Sequence, residues 1–264
     1  MNKLVFFALL SILFFGCSDY QKVLKDEEIA PKYKMAEDLY KEKKYKKALR
    51  LFEQIVPQYR GKPQAERVMY YYADTYYQLR DYYLAGYQFE RFAKSYPQSD
   101  KAEEAAYKSA RSYYEISPRY TLDQSDTDKA IEKLQAYINK YPDSERLAIA
   151  NELVLELRTK KEKKAFEIAK GYHHREDYKV AIKAFDNYLV DYPGSKFKEN
   201  VLYFKLESEF LLAIGSYEVL VKDRLLKALE YYKNYRKYYD EKGAFYQRAK
   251  DIEEDINNRL EQFN

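Results

Sequence analysis

The chain has 264 residues, with 47 Lys and Arg against 43 Asp and Glu. The net charge of +4 is too small and too dispersed for a nucleic-acid binder, which normally shows a basic stripe and a reading element. Seven Gly, seven Pro and a 34% charged fraction of mixed sign fit an all-helical protein with solvated outer faces, and no sustained period-two alternation argues for strands.

Residues 1–16 read as a targeting segment. Lys3 opens it, Leu4 to Phe15 form an apolar run too short to anchor stably across a bilayer, and Gly16-Cys17 closes it before polar Ser18-Asp19-Tyr20. The layout resembles a bacterial lipoprotein signal cleaved before a cysteine that becomes lipidated, although Phe14 and Phe15 stand where such signals usually place Leu and a small residue. Cys17 is the only cysteine, so it cannot form an intramolecular disulfide. By the same likeness, Ser18 after the cysteine favours the outer membrane, and its periplasmic face is the expected location. Residues 17–30 then read as a lipidated tether, with Pro31 able to open the first helix of the array.

From there the chain repeats. Tyr33, Tyr70 and Tyr107 overlay at a spacing of 37 residues, as do Ala36, Ala73 and Ala110, and Tyr40, Tyr77 and Tyr114. Tyr45, Ala48 and Phe52 are answered by Tyr82, Ala85 and Phe89. Each unit thus offers a small residue where two helices touch and large apolar residues around it, a pattern of helical repeats. Ala130/Leu134, Ala181/Phe185 and Ala228/Tyr232 continue the Ala-x-x-x-large signature on one helical face. Three segments end alike, at Tyr96-Pro97-Gln98-Ser99, Tyr141-Pro142-Asp143-Ser144 and Tyr192-Pro193-Gly194-Ser195, where Pro stops a helix and Ser can cap the next.

Small residue, aromatic and terminal Pro make up the tetratricopeptide pattern, here without its Trp. The expected fold is an all-α tetratricopeptide-repeat solenoid of about five helix–turn–helix repeats with a terminal capping helix. An N-terminal half, 31–142, holds repeats one to three, with Ser117 to Gln124 inserted between the helices of the third. A C-terminal half, 143–264, holds one long or two nearly collinear helices over 144–174, repeats four and five, and the cap at 244–263.

Catalytic patterns are missing. His173 and His174 are adjacent and cannot form an i, i+4 metal pair, no glycine-rich phosphate loop occurs, and Gly194-Ser195 lacks the nucleophile-elbow pattern. No enzyme activity, metal or cofactor is expected. Recognition has a better candidate. The first helix of each repeat lines the inner groove of such arrays, where Tyr33/Tyr40, Tyr70/Tyr77 and Tyr107/Tyr114 would form a tyrosine ladder flanked by Glu37, Asp74 and Arg111. The other reading of these tyrosines is that they seal contacts between repeats.

The mature chain resembles the BamD family, the lipoprotein component of the outer-membrane β-barrel assembly machine, especially its Bacteroidetes-type members. The likeness rests on Cys17 to Leu24, on Tyr70-Tyr71-Tyr72-Ala73, on the insertion Ser117 to Gln124, and on the five-repeat length and Tyr-Pro-x-Ser junctions. It implies a non-enzymatic adaptor held on the outer membrane through lipidated Cys17. Its N-terminal repeats would receive unfolded barrel proteins, and its C-terminal repeats, 196–262, would dock on a BamA-like β-barrel insertase. The binding crevice would include the turn at Tyr59-Arg60-Gly61. Targeting signals that end in an aromatic residue and a free carboxylate would find Tyr70, Tyr77 and Arg60 or Arg111 as receivers. The competing function is a repeat scaffold for another cell-envelope process: division, envelope maintenance or glycan binding.

Overall fold

A computed structural model describes residues 19–263, so the signal segment and Cys17 lie outside the described residues. The described residues hold twelve α-helices: α1 Asp19–Lys25, α2 Ile29–Lys41, α3 Tyr45–Ile55, α4 Ala65–Gln78, α5 Tyr82–Ser95, α6 Ala102–Ile116, α7 Ser125–Lys140, α8 Leu147–His174, α9 Tyr178–Asp191, α10 Lys198–Ile214, α11 Glu218–Tyr238 and α12 Tyr246–Glu261. No strand occurs among them. The chain is an all-α tetratricopeptide-repeat solenoid. Its hairpins are α2–α3, α4–α5, α6–α7, α8–α9 and α10–α11, and α12 follows the last of them.

Two compact units divide inside α8, one taking residues up to 118 together with 125–154, the other 119–124 and 155 onward. The sequence reading set its halves at 142/143. The first two turns of α8, with buried Ala150, Leu153 and Val154, belong to the first unit. Most of the insertion, Arg119 to Gln124, belongs to the second, where Lys164 Nζ donates to the Leu122 carbonyl at 2.6 Å and Lys163 lies 4.4 Å from the Tyr120 ring centre.

The expected packing alanines are fully buried: Ala36 and Ala48 in the first hairpin, Ala73 and Ala85 in the second, Ala130, Ala181 and Ala228 further on. A missing side chain at each of them lets two helices approach, and the large residues a turn away fill the flanks. Phe52, Phe89 and Phe185 are completely buried, which stabilises each hairpin by about 1.5–3 kcal/mol per ring. The turns inside three hairpins are alike too. Lys43, Arg80 and Glu176 occupy the left-handed region at φ 60°, 62° and 64°, and the amide after each bonds back five residues, from Lys44 to Leu39, Asp81 to Tyr76 and Asp177 to Tyr172. This closes the open carbonyls of the first helix.

The segment read as a tether contains α1. Its Tyr20, Val23 and Leu24 pack on the first hairpin, because an apolar i, i+3, i+4 set in so short a helix has a ready-made surface beside it. The junction serines do more than cap. Ser99, Ser144 and Ser195 each accept the amide two residues on, at 3.0, 3.0 and 3.1 Å, and each also donates to a glutamate of the preceding repeat, Glu66, Glu103 and Glu162. Those glutamates stand seven residues before Ala73, Ala110 and Ala169. Tyr137 and Tyr188, seven residues after Ala130 and Ala181, join the same clusters through Ser144 and Ser195. Each junction is thereby a polar bracket across a repeat boundary.

Candidate functional site

The first unit brings α2, α4 and α6, the first helices of repeats one to three, side by side. Their shared face holds a cavity of about 610 Å³. Its aromatic walls are Tyr40, Tyr70, Tyr71 and Phe92, and its charges are Glu66, Arg67, Asp74, Lys101, Glu104 and Lys108. Of the predicted site residues it gathers Tyr40, Tyr70 and Asp74.

Asp74 is the centre. It is only 1% exposed, and three helices satisfy it: the Tyr40 hydroxyl donates at 2.5 Å, Lys108 at 2.6 Å and Gln78 at 3.2 Å. A buried carboxylate is tolerable only with such partners. Lys108 also reaches Glu104 at 3.0 Å and the Tyr70 hydroxyl at 3.2 Å. Burial pulls the lysine down, but the hydrogen bond and charge of Asp74 and of Glu104 outweigh it and hold Lys108 above the ordinary lysine range. Burial likewise pushes Glu104 up, while hydrogen bonds from Lys101, Tyr70 and Lys108 carry it down to about 2. Burial first, then the bond to Asp74, raises Tyr40, so its hydroxyl stays a proton donor.

The tyrosines seal repeats as well as face the cavity. Tyr40 packs on Tyr71 with ring centres 4.6 Å apart, and Tyr70 lies edge-on to Phe89 and Phe92 at 5.8 and 5.4 Å. Tyr40 thus packs across the boundary between repeats one and two, and Tyr70 within its own hairpin, while both also line the cavity.

The remaining predicted residues are elsewhere in the first unit. Tyr33 stacks obliquely on buried Tyr59 at 5.5 Å, and burial raises both hydroxyls. Arg60 is exposed in the turn completed by Gly61, whose φ of 76° suits glycine. Tyr77 packs on Tyr82 and Phe89. Tyr107 packs on Tyr137 and under Arg146. Arg111 pairs with Glu115 at 2.7 Å and covers the Tyr114 ring at 4.8 Å.

The cations of the cavity rim are Arg67 and Lys101, which the sequence reading did not single out. Arg67 pairs with Glu37 and lies 5.5 Å from the Tyr71 ring; Lys101 pairs with Glu104 at 2.9 Å and lies 5.5 Å from the Tyr70 ring. The signal that could have found them is position, since Arg67 lies on α4 four residues before Tyr71 and Lys101 immediately precedes α6. Among the described residues no group of three His, Cys, Asp or Glu is arranged to hold a metal, and no helix is long and apolar enough to cross a membrane.

Comparison with known proteins adds the family. The profile of YfiO, described as an outer membrane lipoprotein, matches residues 25–218. The chain belongs to this BamD-like family of outer membrane lipoproteins. The match takes in the YfiO-type repeats through α10 and stops at the first residue of α11. No curated protein matches the chain significantly. Among solved structures, two forms of a Podosopora anserina protein described as a putative kinesin light chain with nearly identical TPR-like repeats are similar. One, a single-substitution variant, is 13% identical, with 78% of this chain and 92% of that chain covered and a TM-score of 0.33. The other is 13% identical, with 80% and 96% covered and a TM-score of 0.32.

Proposed function

We propose that this YfiO-family chain is a non-enzymatic adaptor of the outer-membrane β-barrel assembly machine, of the Bacteroidetes type. It is held by lipidated Cys17 on the periplasmic face, receives the C-terminal signal of unfolded barrel proteins in its first three repeats, and docks on the barrel insertase through 196–262. The observation that carries the reading is the aromatic cavity formed by α2, α4 and α6 in a chain of this family. Tyrosine faces suit a terminal aromatic ring. Asp74 and Lys108 are committed to each other, so they shape the cavity rather than bind. The receivers for a terminal carboxylate are Arg67 and Lys101 at the rim, in place of Arg60 and Arg111. Both cations are more than half exposed, at 54% and 55% of their side chains, so an incoming carboxylate can reach them from solvent.

Two experiments test this. Fluorescence anisotropy with a labelled peptide ending in Phe and a free carboxylate should show binding that amidation of the terminus weakens. The R67E/K101E double variant should weaken it about tenfold, the effect of losing roughly 1.4 kcal/mol, at a temperature where its circular dichroism shows it still folded. Equal affinity for the acid and amide forms sinks the carboxylate assignment, and unchanged affinity after Tyr70→Ala sinks the cavity. Separately, affinity purification of the tagged chain from native membranes in mild detergent should recover the insertase and lose it on deletion of 196–262. A reproducible set of other envelope proteins without the insertase would favour the scaffold reading.

A further inference from the structure

A second groove lies on the opposite kind of surface, formed by the second helices of the repeats. Between α5 and α7, over α6, the first unit holds a slot of about 350 Å³. Its floor is Ala93, Ala106, Ala110 and Ala136, with Ser109 beside them. Lys94, Lys133 and Lys140 stand on its rim, with Glu90 as the one carboxylate there.

The slot is open because of three residues. At the 37-residue register, Ala106, Ser109 and Ala93 correspond to Met69, Tyr72 and Val56 one repeat earlier. There Tyr72 packs edge-on against Tyr76 at 4.9 Å, their hydroxyls bond at 3.0 Å, and Tyr76 donates to Glu53, the counterpart of Glu90. In the last repeat the counterpart of Ser109 is Lys205, 8% exposed, which pairs with Asp186 at 2.5 Å; Asp186 in turn is the counterpart of Glu90. The same structural position is therefore filled by a tyrosine in one repeat and by a buried lysine in another. In repeat three it holds a serine, whose hydroxyl turns away to the Gly86 carbonyl at 2.8 Å.

With no side chain of its own to fill the slot or to meet the carboxylate, Glu90 is answered instead from the rim, by Lys94 at 2.8 Å and Lys133 at 3.1 Å. Lys140 stands 5.3 Å from the Tyr141 ring. Three lysines thus surround one apolar slot with a single acid, which pairs with two of them. An apolar floor sized for one large side chain, inside a cationic rim, is complementary to a segment that carries an apolar residue between carboxylates.

We propose that this slot is a docking site for an acidic segment of a partner protein, which inserts one Leu or Phe side chain over Ala106 and Ala136 and sets flanking Asp or Glu against Lys94, Lys133 and Lys140. The site is independent of the aromatic cavity, shares no lining residue with it, and does not rest on the assembly-machine reading.

The probe is a labelled peptide blocked at both ends, Asp-Glu-Leu-Phe-Glu-Asp, with Lys-Lys-Leu-Phe-Lys-Lys and Asp-Glu-Ser-Ser-Glu-Asp as controls, titrated against the full chain at low salt. The acidic apolar peptide should bind and the controls should not, with affinity falling as salt rises. Ala136→Tyr fills the slot from an exposed position, and Ala106→Met restores the residue of repeat two; each should cut affinity at least about tenfold with melting unchanged. Lys133→Glu with Lys140→Glu should do the same. If both acidic peptides bind equally, or Ala136→Tyr and Ala106→Met leave binding intact, the slot is not the site. If the acidic peptide fails to bind and the chain instead self-associates in sedimentation through a contact that Ala136→Tyr removes, the occupant is a second copy and the proposal is overturned.

Discussion

Each unit has one carboxylate set between consecutive first helices, and the two are built at the same register but with different chemistry. In the first unit Asp74 follows Ala73, and its donor, Tyr40, comes from 34 residues earlier. In the second Glu207 follows Leu206, and its donor, His173, again comes from 34 residues earlier, with Nε2 3.1 Å away. Tyr70 and Tyr203 both stand one turn before the acid; Tyr203 donates to Glu207 at 2.6 Å. Even the neighbouring hydroxyls agree, since Thr75 and Ser208 each bond to a carbonyl four residues back.

The differences are instructive. Asp74 is almost wholly enclosed and holds a lysine whose side chain is one-fifth exposed, whereas the Glu207 side chain is a quarter exposed and His173 is shared with the Ser208 hydroxyl at 2.9 Å. The Ser208 hydroxyl also donates to the Phe204 carbonyl at 2.6 Å, which ties the histidine to the backbone of the facing helix. A shared backbone register thus carries an enclosed aspartate held by a tyrosine and a lysine in one unit and a partly exposed glutamate held by a histidine and a tyrosine in the other.

The largest expected effect is at Asp74. Asp74→Ala leaves Lys108 and Tyr40 without their main partner and should destabilise by about 3 kcal/mol, read as a urea midpoint. Glu207→Ala, where water can replace the acid, should lose only about 1 kcal/mol. Equal losses would erase the contrast between the units.

The acid side of the pH profile follows from Glu104, whose folded value of about 2 lies below the ordinary 4.5. Its stabilisation is complete above 4.5 and is lost as pH falls toward 2. The melting temperature should drop across that window, and Glu104→Gln should flatten part of the drop. Glu207 is also depressed: burial raises it, but the bonds from His173 and Tyr203 prevail. Glu207→Gln should therefore flatten a further part.

The smallest pair concerns two helical glycines. A Cβ on Gly86 would sit 3.2 Å from the Tyr113 ring and 3.3 Å from Ser112 Cβ, so Gly86→Ala should cost about 1 kcal/mol by overpacking. At Gly171 the nearest atom is Arg175 Nη1 at 3.7 Å, and Gly171→Ala should gain about 0.5 kcal/mol. A loss at Gly171 would show that α8 is constrained there in a way its contacts do not reveal.

Much of the fold could be read from residue spacing. The alanines, the aromatics a turn away and the Tyr-Pro-x-Ser junctions place all five hairpins, because helix packing needs a small residue and a filled flank at fixed intervals. The site was less legible. Tyr40, Tyr70 and Asp74 were found by register, but Arg67 and Lys101 were not, since charged residues are frequent on every helical face. Tyr77, Tyr107, Arg111 and Tyr114 share the predicted face and yet lie outside the cavity lining.

The sequence by itself determined the repeat period, the helix–turn–helix units and the family, because these depend on local spacing that the chain carries in every repeat. Only the tertiary structure decided which groove stays open. A slot exists where Ser109 stands in for Tyr72, and an enclosed carboxylate where Asp74 meets Lys108 from another helix. Those are properties of what three helices leave between them, and volume between helices is written in no single one.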